Sequence, residues 1–195
     1  MDGKKDIIIA GVGGQGILTM AKIIVGAAFA EELKLKQPEV HGMSQRGGAV
    51  YTHVRLSPDY VNSDIIPAGA ADLIIGVEPM EALRYADALA PDGMIVSSSV
   101  PVENISDYDV GGVLGFLDSL DNVVLIDSNQ VAIAAKNKQG QNIAVLGVSL
   151  PYLGIEREVI EGVMEDIFGD KGPDVVAANL RALQMGEEAG AVYRR

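Results

Sequence analysis

The chain has 195 residues, 48% of them hydrophobic, with six tyrosines, three phenylalanines, no tryptophan, no cysteine and a formal charge of −12. That length suits one α/β domain with a sizeable core, filled mainly by aliphatic side chains. The acidic balance argues against nucleic acid, anionic membranes and acidic electron carriers as direct partners, and the missing cysteines remove disulfides, thiolate nucleophiles and cysteine-ligated iron–sulfur clusters.

The apolar run Ile7–Ala10 stops at Gly11, and Gly13, Gly14 and Gly16 follow. From Ile17 the apolar spacing becomes helical through Met20, Ala21 and Ile24, which predicts a buried strand, a tight turn and a helix from about Gly16 to Leu33. Lys4 and Lys5 ahead of this stretch resemble a secretion signal, but Asp6, Gln15 and Lys22 interrupt it. No window reaches the length of a membrane span, so a cytoplasmic chain is expected. The polar segment 31–37 reads as the helix's tail, and EVHGMSQRGG at 39–48 as a loop. Residues 49–56 alternate, with Val50, Thr52, Val54 and Leu56 on one face and Tyr51, His53 and Arg55 on the other, a half-buried strand. Ser57-Pro58-Asp59 is a turn, after which Tyr60-Val61 suits a short antiparallel return.

Residues 72–77 read as a buried parallel strand, and Glu78-Pro79 as the start of a helix running to the Pro91-Asp92-Gly93 turn. Met94–Ser98 and Val123–Ile126 are two further strands, the second followed by a helix capped by Asp127 or Ser128 and lasting through Lys136. From Gln141 the pattern is helical only. Val159, Ile160, Val163, Met164, Ile167 and Phe168 form an apolar stripe suited to core or to a subunit contact, and Pro173 opens a last helix. The expected fold is a single three-layer α/β/α Rossmann-like domain over 1–195, with a mostly parallel, mixed sheet and a helical C-terminal segment.

Gly11, Gly13 and Gly16 fit the dinucleotide fingerprint G-x-G-x-x-G in its strand–turn–helix setting, where free amides and the helix dipole favour an anion. Close strand–helix packing explains the same glycines equally well. An NAD site also wants a second parallel strand ending in an acid about twenty residues on, and Glu31 and Glu32 fall there but in the helix's tail. In the 39–48 loop, His41 and Glu39 could form an acid/base pair, Gln45 and Arg46 could contact substrate or phosphate, and Gly47 and Gly48 permit close backbone approach. A structural loop stitched by an internal Arg–Glu pair, or an interface with another chain, remains open. Glu78 sits where open α/β sheets bind ligands and where a plain helix cap also belongs, as do Ser97–Ser99 and Asp127. His53 reads as a satisfied or solvated strand residue, and two distant histidines without a carboxylate cluster make no metal site.

GVGGQGI at 11–17, EVHGMSQRGG at 39–48 and VEPMEALRY at 77–85 together resemble the gamma-domain family of 2-oxoacid:ferredoxin oxidoreductases over nearly the whole chain. HGMSQRGG, THVR at 52–55 and EPMEALRY are most similar to the small (beta) subunit of its indolepyruvate branch. The resemblance implies a subunit that is inactive alone. A larger (alpha) partner would carry thiamine diphosphate and 4Fe-4S clusters, with coenzyme A as cosubstrate and ferredoxin reached through the complex. It carries phosphate or cofactor contacts onto Gly11, Gly13, Gly14, Gln15, Gly16, Arg46, Gly47 and Gly48, and substrate-side or interface roles onto His41 and Gln45, to which Glu78 is added by its place at a strand's carboxyl end. Glu39 and Gly42 complete the second motif. Two other classes stay open: a free-standing NAD(P) or flavin dehydrogenase, and a structural interaction module that self-associates as a homodimer or binds another chain.

Overall fold

The computed structural model describes residues 3–38, 47–102 and 108–193. Six strands form one sheet in the order β2-β3-β1-β4-β5-β6. Strand β1 (Lys5–Val12) lies at its centre, flanked by β3 (Ala49–Ser57) and β4 (Ala71–Gly76), with β5 (Leu89–Ser98) and β6 (Val123–Ile126) beyond β4 and β2 (Lys34–Lys36) at the other edge. Strands β1, β4, β5 and β6 are parallel, and β3 pairs antiparallel with both β1 and β2. Ile7, Ile8, Ile9, Leu73, Ile74 and Ile75 are all buried, as expected of strands covered on both faces.

The face bearing Ile7, Ile9, Leu73 and Ile75 is closed by α1 (Ile17–Ala30), α4 (Ser128–Ala134), α5 (Gln141–Leu153), α6 (Arg157–Phe168) and α7 (Pro173–Ala191). The stripe on α6 is core: Ile160, Met164 and Phe168 are buried, while Val159, Val163 and Ile167 pack at its margin. Helices α5 and α7 touch backbone to backbone, since a Cβ on Gly186 would drive into the Ala144 carbonyl and one on Gly147 into the Leu183 carbonyl. Among the described residues no helix is long and apolar enough to cross a membrane.

The opposite face, with Ile8, Ile74 and Ile95, is covered by α2 (Pro79–Leu83), α3 (Val110–Asp118) and the 58–70 segment. Asp6 is fully buried and accepts two hydrogen bonds from Arg55, at 2.8 and 2.9 Å, and Arg55 also donates to the carbonyls of Ser63 and Ile65. This ion pair therefore straps 58–70 to the sheet. Arg55 and His53 are both buried, and His53 is the satisfied strand residue of the two readings: its Nδ1 accepts from the Ile66 amide at 3.0 Å, and burial first, then the Arg55 charge, lowers its pKa.

Four expectations change. The segment 31–37 contains an edge strand, β2, rather than only a helix tail. Tyr60-Val61 forms no strand, because 58–70 is held by Arg55 and His53 side chains instead of by a ladder. Helix α2 stops at Leu83, and a 3-10 turn at Ala86–Ala88 leads into β5, which begins at Leu89 and runs through Pro91-Asp92-Gly93. Pairing of Leu89 with Ala71 overrides the helical preference of the alanines, and the register then slips so that Leu73 faces Met94. Helix α3 is the fourth, concealed by Gly111, Gly112 and Gly115.

Candidate functional site at the sheet's switch point

Helix α1 leaves β1 over one face and α2 leaves β4 over the other, so the crevice between the carboxyl ends of β1 and β4 is the topological switch point, where open α/β sheets bind ligands. The glycine turn occupies it. Gly14 and Gly16 have φ of 100° and 79°, and Gly16 is the N-cap of α1 without a side-chain cap. Much of the turn is filled from inside. Gln15 Oε1 accepts from the Val12 amide at 2.7 Å, while Nε2 donates to the Val77 carbonyl at 3.4 Å, so one side-chain amide bridges the ends of β1 and β4. A Cβ on Gly11 would meet Ile17 Cδ1 at 2.6 Å and Gln15 Oε1 at 2.9 Å, and one on Gly16 would meet the Asn142 amide. Close internal packing thus accounts for Gly11 and Gly16, while Gly14 faces open space.

The structure joins the two glycine-rich motifs. The Gly13 amide donates to the Gly48 carbonyl at 2.8 Å and the Gly47 amide to the Gly13 carbonyl at 3.3 Å, with Gly47 at φ 75°. Glu39, His41, Gly42, Gln45 and Arg46 lie outside the described residues. Beside the turn is a cavity of about 320 Å³ walled by Gly14 and Gln15, by Val77 after β4, by Val100, Pro101 and Val102 after β5, by Ser128 and Asn129 of α4, and by Gln141 of α5. Among the described residues its lining carries the side-chain amides of Gln15, Asn129 and Gln141 and the Ser128 hydroxyl, and no charged side chain.

Glu78 is fully buried at the end of β4. Its Oε2 accepts from the Glu81 amide at 3.0 Å, capping α2, and its Oε1 accepts from the Tyr108 hydroxyl at 2.7 Å and the Val102 amide at 3.4 Å. Tyr108 in turn accepts from the Met80 amide at 3.1 Å, and burial, then Glu78, raises its pKa. One turn on, Glu81 is buried with Oε1 on Arg84 at 3.0 Å and Oε2 without a partner; burial raises its pKa despite Arg84. Ser98 and Ser128 hydroxyls meet at 2.7 Å, and Asp127, not Ser128, caps α4 through the Gln130 amide. Tyr108 and the Gln141–Asn129 contact at 3.2 Å carry no local sequence signal. Among the described residues no acid stands where an NAD site needs one. Strand β2 is separated from β1 by β3, and Glu31 at the end of α1 accepts from the Glu156 amide.

The sequence profile of the pyruvate ferredoxin/flavodoxin oxidoreductase family matches residues 6–189. The chain belongs to that family. Among its members, subunit IorB of the indolepyruvate oxidoreductase of Archaeoglobus fulgidus is 34% identical over 93% of this chain and 92% of its own. The IorB subunit of Thermococcus kodakarensis is 33% identical over 94% and 95%. The fold matches the gamma subunit of a keto/oxoacid ferredoxin oxidoreductase from Geobacter sulfurreducens, with a TM-score of 0.68, 21% identity and coverage of 96% and 99%. It also matches a 2-oxoglutarate:ferredoxin oxidoreductase from Magnetococcus marinus, TM-score 0.76 and 21% identity, over 98% of this chain and 32% of that one. The resemblance read from the three motifs and the expected α/β fold are both borne out.

Proposed function

We propose that the chain works, as a single gamma-type domain, as the small subunit of an indolepyruvate-type 2-oxoacid:ferredoxin oxidoreductase in the cytoplasm. In that reaction the oxoacid's carboxylate leaves as carbon dioxide, the coenzyme A sulfur takes the acyl group, the thiol proton is released, and the two remaining electrons reduce ferredoxin. The near full-length similarity to IorB subunits is the observation that carries this reading.

The residues present do not fit the redox groups. The chain has no cysteine to ligate a cluster, and among the described residues no three acidic or histidine side chains converge on a metal. Those groups therefore belong to the larger partner, and this chain contributes shape and fixed dipoles. The Gly13–Gly14 turn, Gly47–Gly48 and the cavity beside them form the surface we assign to the partner's substrate and coenzyme A side. The free-standing dehydrogenase reading is opposed by Gln15, whose amide spans the crevice a pyrophosphate would need. A purely structural module lacks any need for the open turn at Gly14.

Co-expression with the larger subunit tests the proposal. Viologen reduction should require indolepyruvate, coenzyme A and both chains together. Equal turnover by the larger chain alone would remove the role. In the active complex, Arg46→Ala should raise the KM for coenzyme A and leave assembly intact, whereas an unchanged KM would strip Arg46 of phosphate binding.

A further inference from the structure

Glu78 is an unusual choice for a helix cap. Serine, threonine, aspartate and asparagine fit the N-cap closely, whereas glutamate carries an extra methylene and here is a fully buried carboxylate whose partners among the described residues are two backbone amides and a phenol hydroxyl. The added reach takes Oε1 away from α2, to the Val102 amide and the Tyr108 hydroxyl. Val100, Pro101 and Val102 are the strap that crosses from β5 and walls the switch-point cavity. Its near end is fixed by the Ser99 amide on the Ile126 carbonyl at 2.8 Å and the Val100 amide on Ser98 Oγ at 3.0 Å. Its far end has Glu78. Tyr108 closes the arrangement by bridging Glu78 and the first turn of α2 through one hydroxyl.

We infer that Glu78 and Tyr108 form a clasp that holds the 99–102 strap at a set distance from Gln15 and Gln141, making both of them positioning residues for the group seated in the cavity. Tyr108 has its one proton on Glu78, and both Glu78 oxygens already accept bonds from within the fold. They act through the strap. A shift of the wall by a fraction of an ångström is enough to misplace a bound group. The inference rests on the reading of the cavity as part of the oxidoreductase site.

Two variants separate the clasp from the cap. Tyr108→Phe removes the hydroxyl and leaves the helix cap, and Glu78→Asp keeps a good capping carboxylate but falls short of Val102 and Tyr108. In the full-length chain, hydrogen exchange at the Val100 and Val102 amides should rise about tenfold in both, with β1 and α1 unchanged. In the co-expressed complex the KM for oxoacid or coenzyme A should rise about fivefold or more, with kcat within about twofold. Glu78→Gln can leave its oxygen on Val102 and Tyr108 only by turning its NH2 against the Glu81 amide, so it should lose the cap of α2 yet keep the KM nearer wild type than Glu78→Asp does. Unchanged exchange at 100–102, or a fall in kcat alone, overturns the clasp. If a variant fails to assemble with the partner, exchange in the free chain still decides. A wild-type complex without oxoacid turnover would sink the functional reading and leave the exchange result standing.

Discussion

On the side of the sheet that carries Ile7 and Ile9, helices α1 and α4–α7 close a core made almost wholly of aliphatic side chains, tight enough for α5 and α7 to meet at their backbones. On the side that carries Ile8, two short helices and the 58–70 segment do the covering, and buried polar groups do much of the fastening. Asp6 with Arg55, His53 with the Ile66 amide, and Glu78 with Tyr108 each join segments far apart in sequence. Aliphatic packing is non-directional and tolerant, but a buried polar group fixes one geometry, because leaving it unpaired is costly. The first face is held by packing and the second by polar bonds, of which the Glu78–Tyr108 pair lies at the switch point.

The largest effect should come from breaking the aliphatic side at its tightest contact. Gly186→Ala puts a Cβ into the Ala144 carbonyl, where only backbone can give way, and should cost at least about 4 kcal/mol or prevent folding. A urea midpoint within about 1 kcal/mol of wild type would show that α5 and α7 can separate freely. On the polar side, Arg55→Met strands the buried Asp6 carboxylate and should cost about 3–5 kcal/mol, whereas the double variant Asp6→Leu with Arg55→Met should recover most of the loss. Additive losses in that cycle would mean the pair is not coupled.

The smallest effect separates two carboxyls on the same face by sign. Burial tends to raise the Asp6 carboxyl, but hydrogen bonds and charge from Arg55 and Lys4 override it and hold it below its ordinary 3.8. Its contribution is therefore present above that pH and is lost as pH falls through the folded value. Glu81 is held above its ordinary 4.5, chiefly by burial, so its contribution is full below pH 4.5 and declines as pH rises through its folded value. Unfolding midpoints should lose their acid limb in Asp6→Asn, and Glu81→Gln should lose the decline that begins above pH 4.5. The same slope in wild type and Glu81→Gln would place the orphaned Oε2 in contact with water.

The aliphatic side was legible from the chain because it obeys periodicity. The Ile and Val runs of β1, β4 and β6 and the three-and-four spacing of α1 and α6 follow from covering one or both faces of an element. The polar side was not. Helix α3 hides behind Gly111, Gly112 and Gly115, β2 is only Lys-Leu-Lys, and α2 stops early because Leu89 is captured by Ala71. At the site, the glycine turn and the place of Glu78 could be read, since strand ends and turn residues are local signals. The docking of Gly13 on Gly47–Gly48, the bridge made by Gln15 and the bond from Tyr108 to Glu78 are tertiary, spanning up to 62 residues in the case of Gln15 and Val77. Alternation places His53 and Arg55 on a strand's polar face without telling whether that face is solvated or covered, and only the 58–70 segment shows that both are covered.

The glycine fingerprint here is closed by its own glutamine, so the chain alone should hold no redox nucleotide. Isothermal titration of the isolated protein with NADH, NADPH and FMN measures this directly. No saturable heat is expected with any of the three, and micromolar binding of one of them would contradict a turn closed by Gln15.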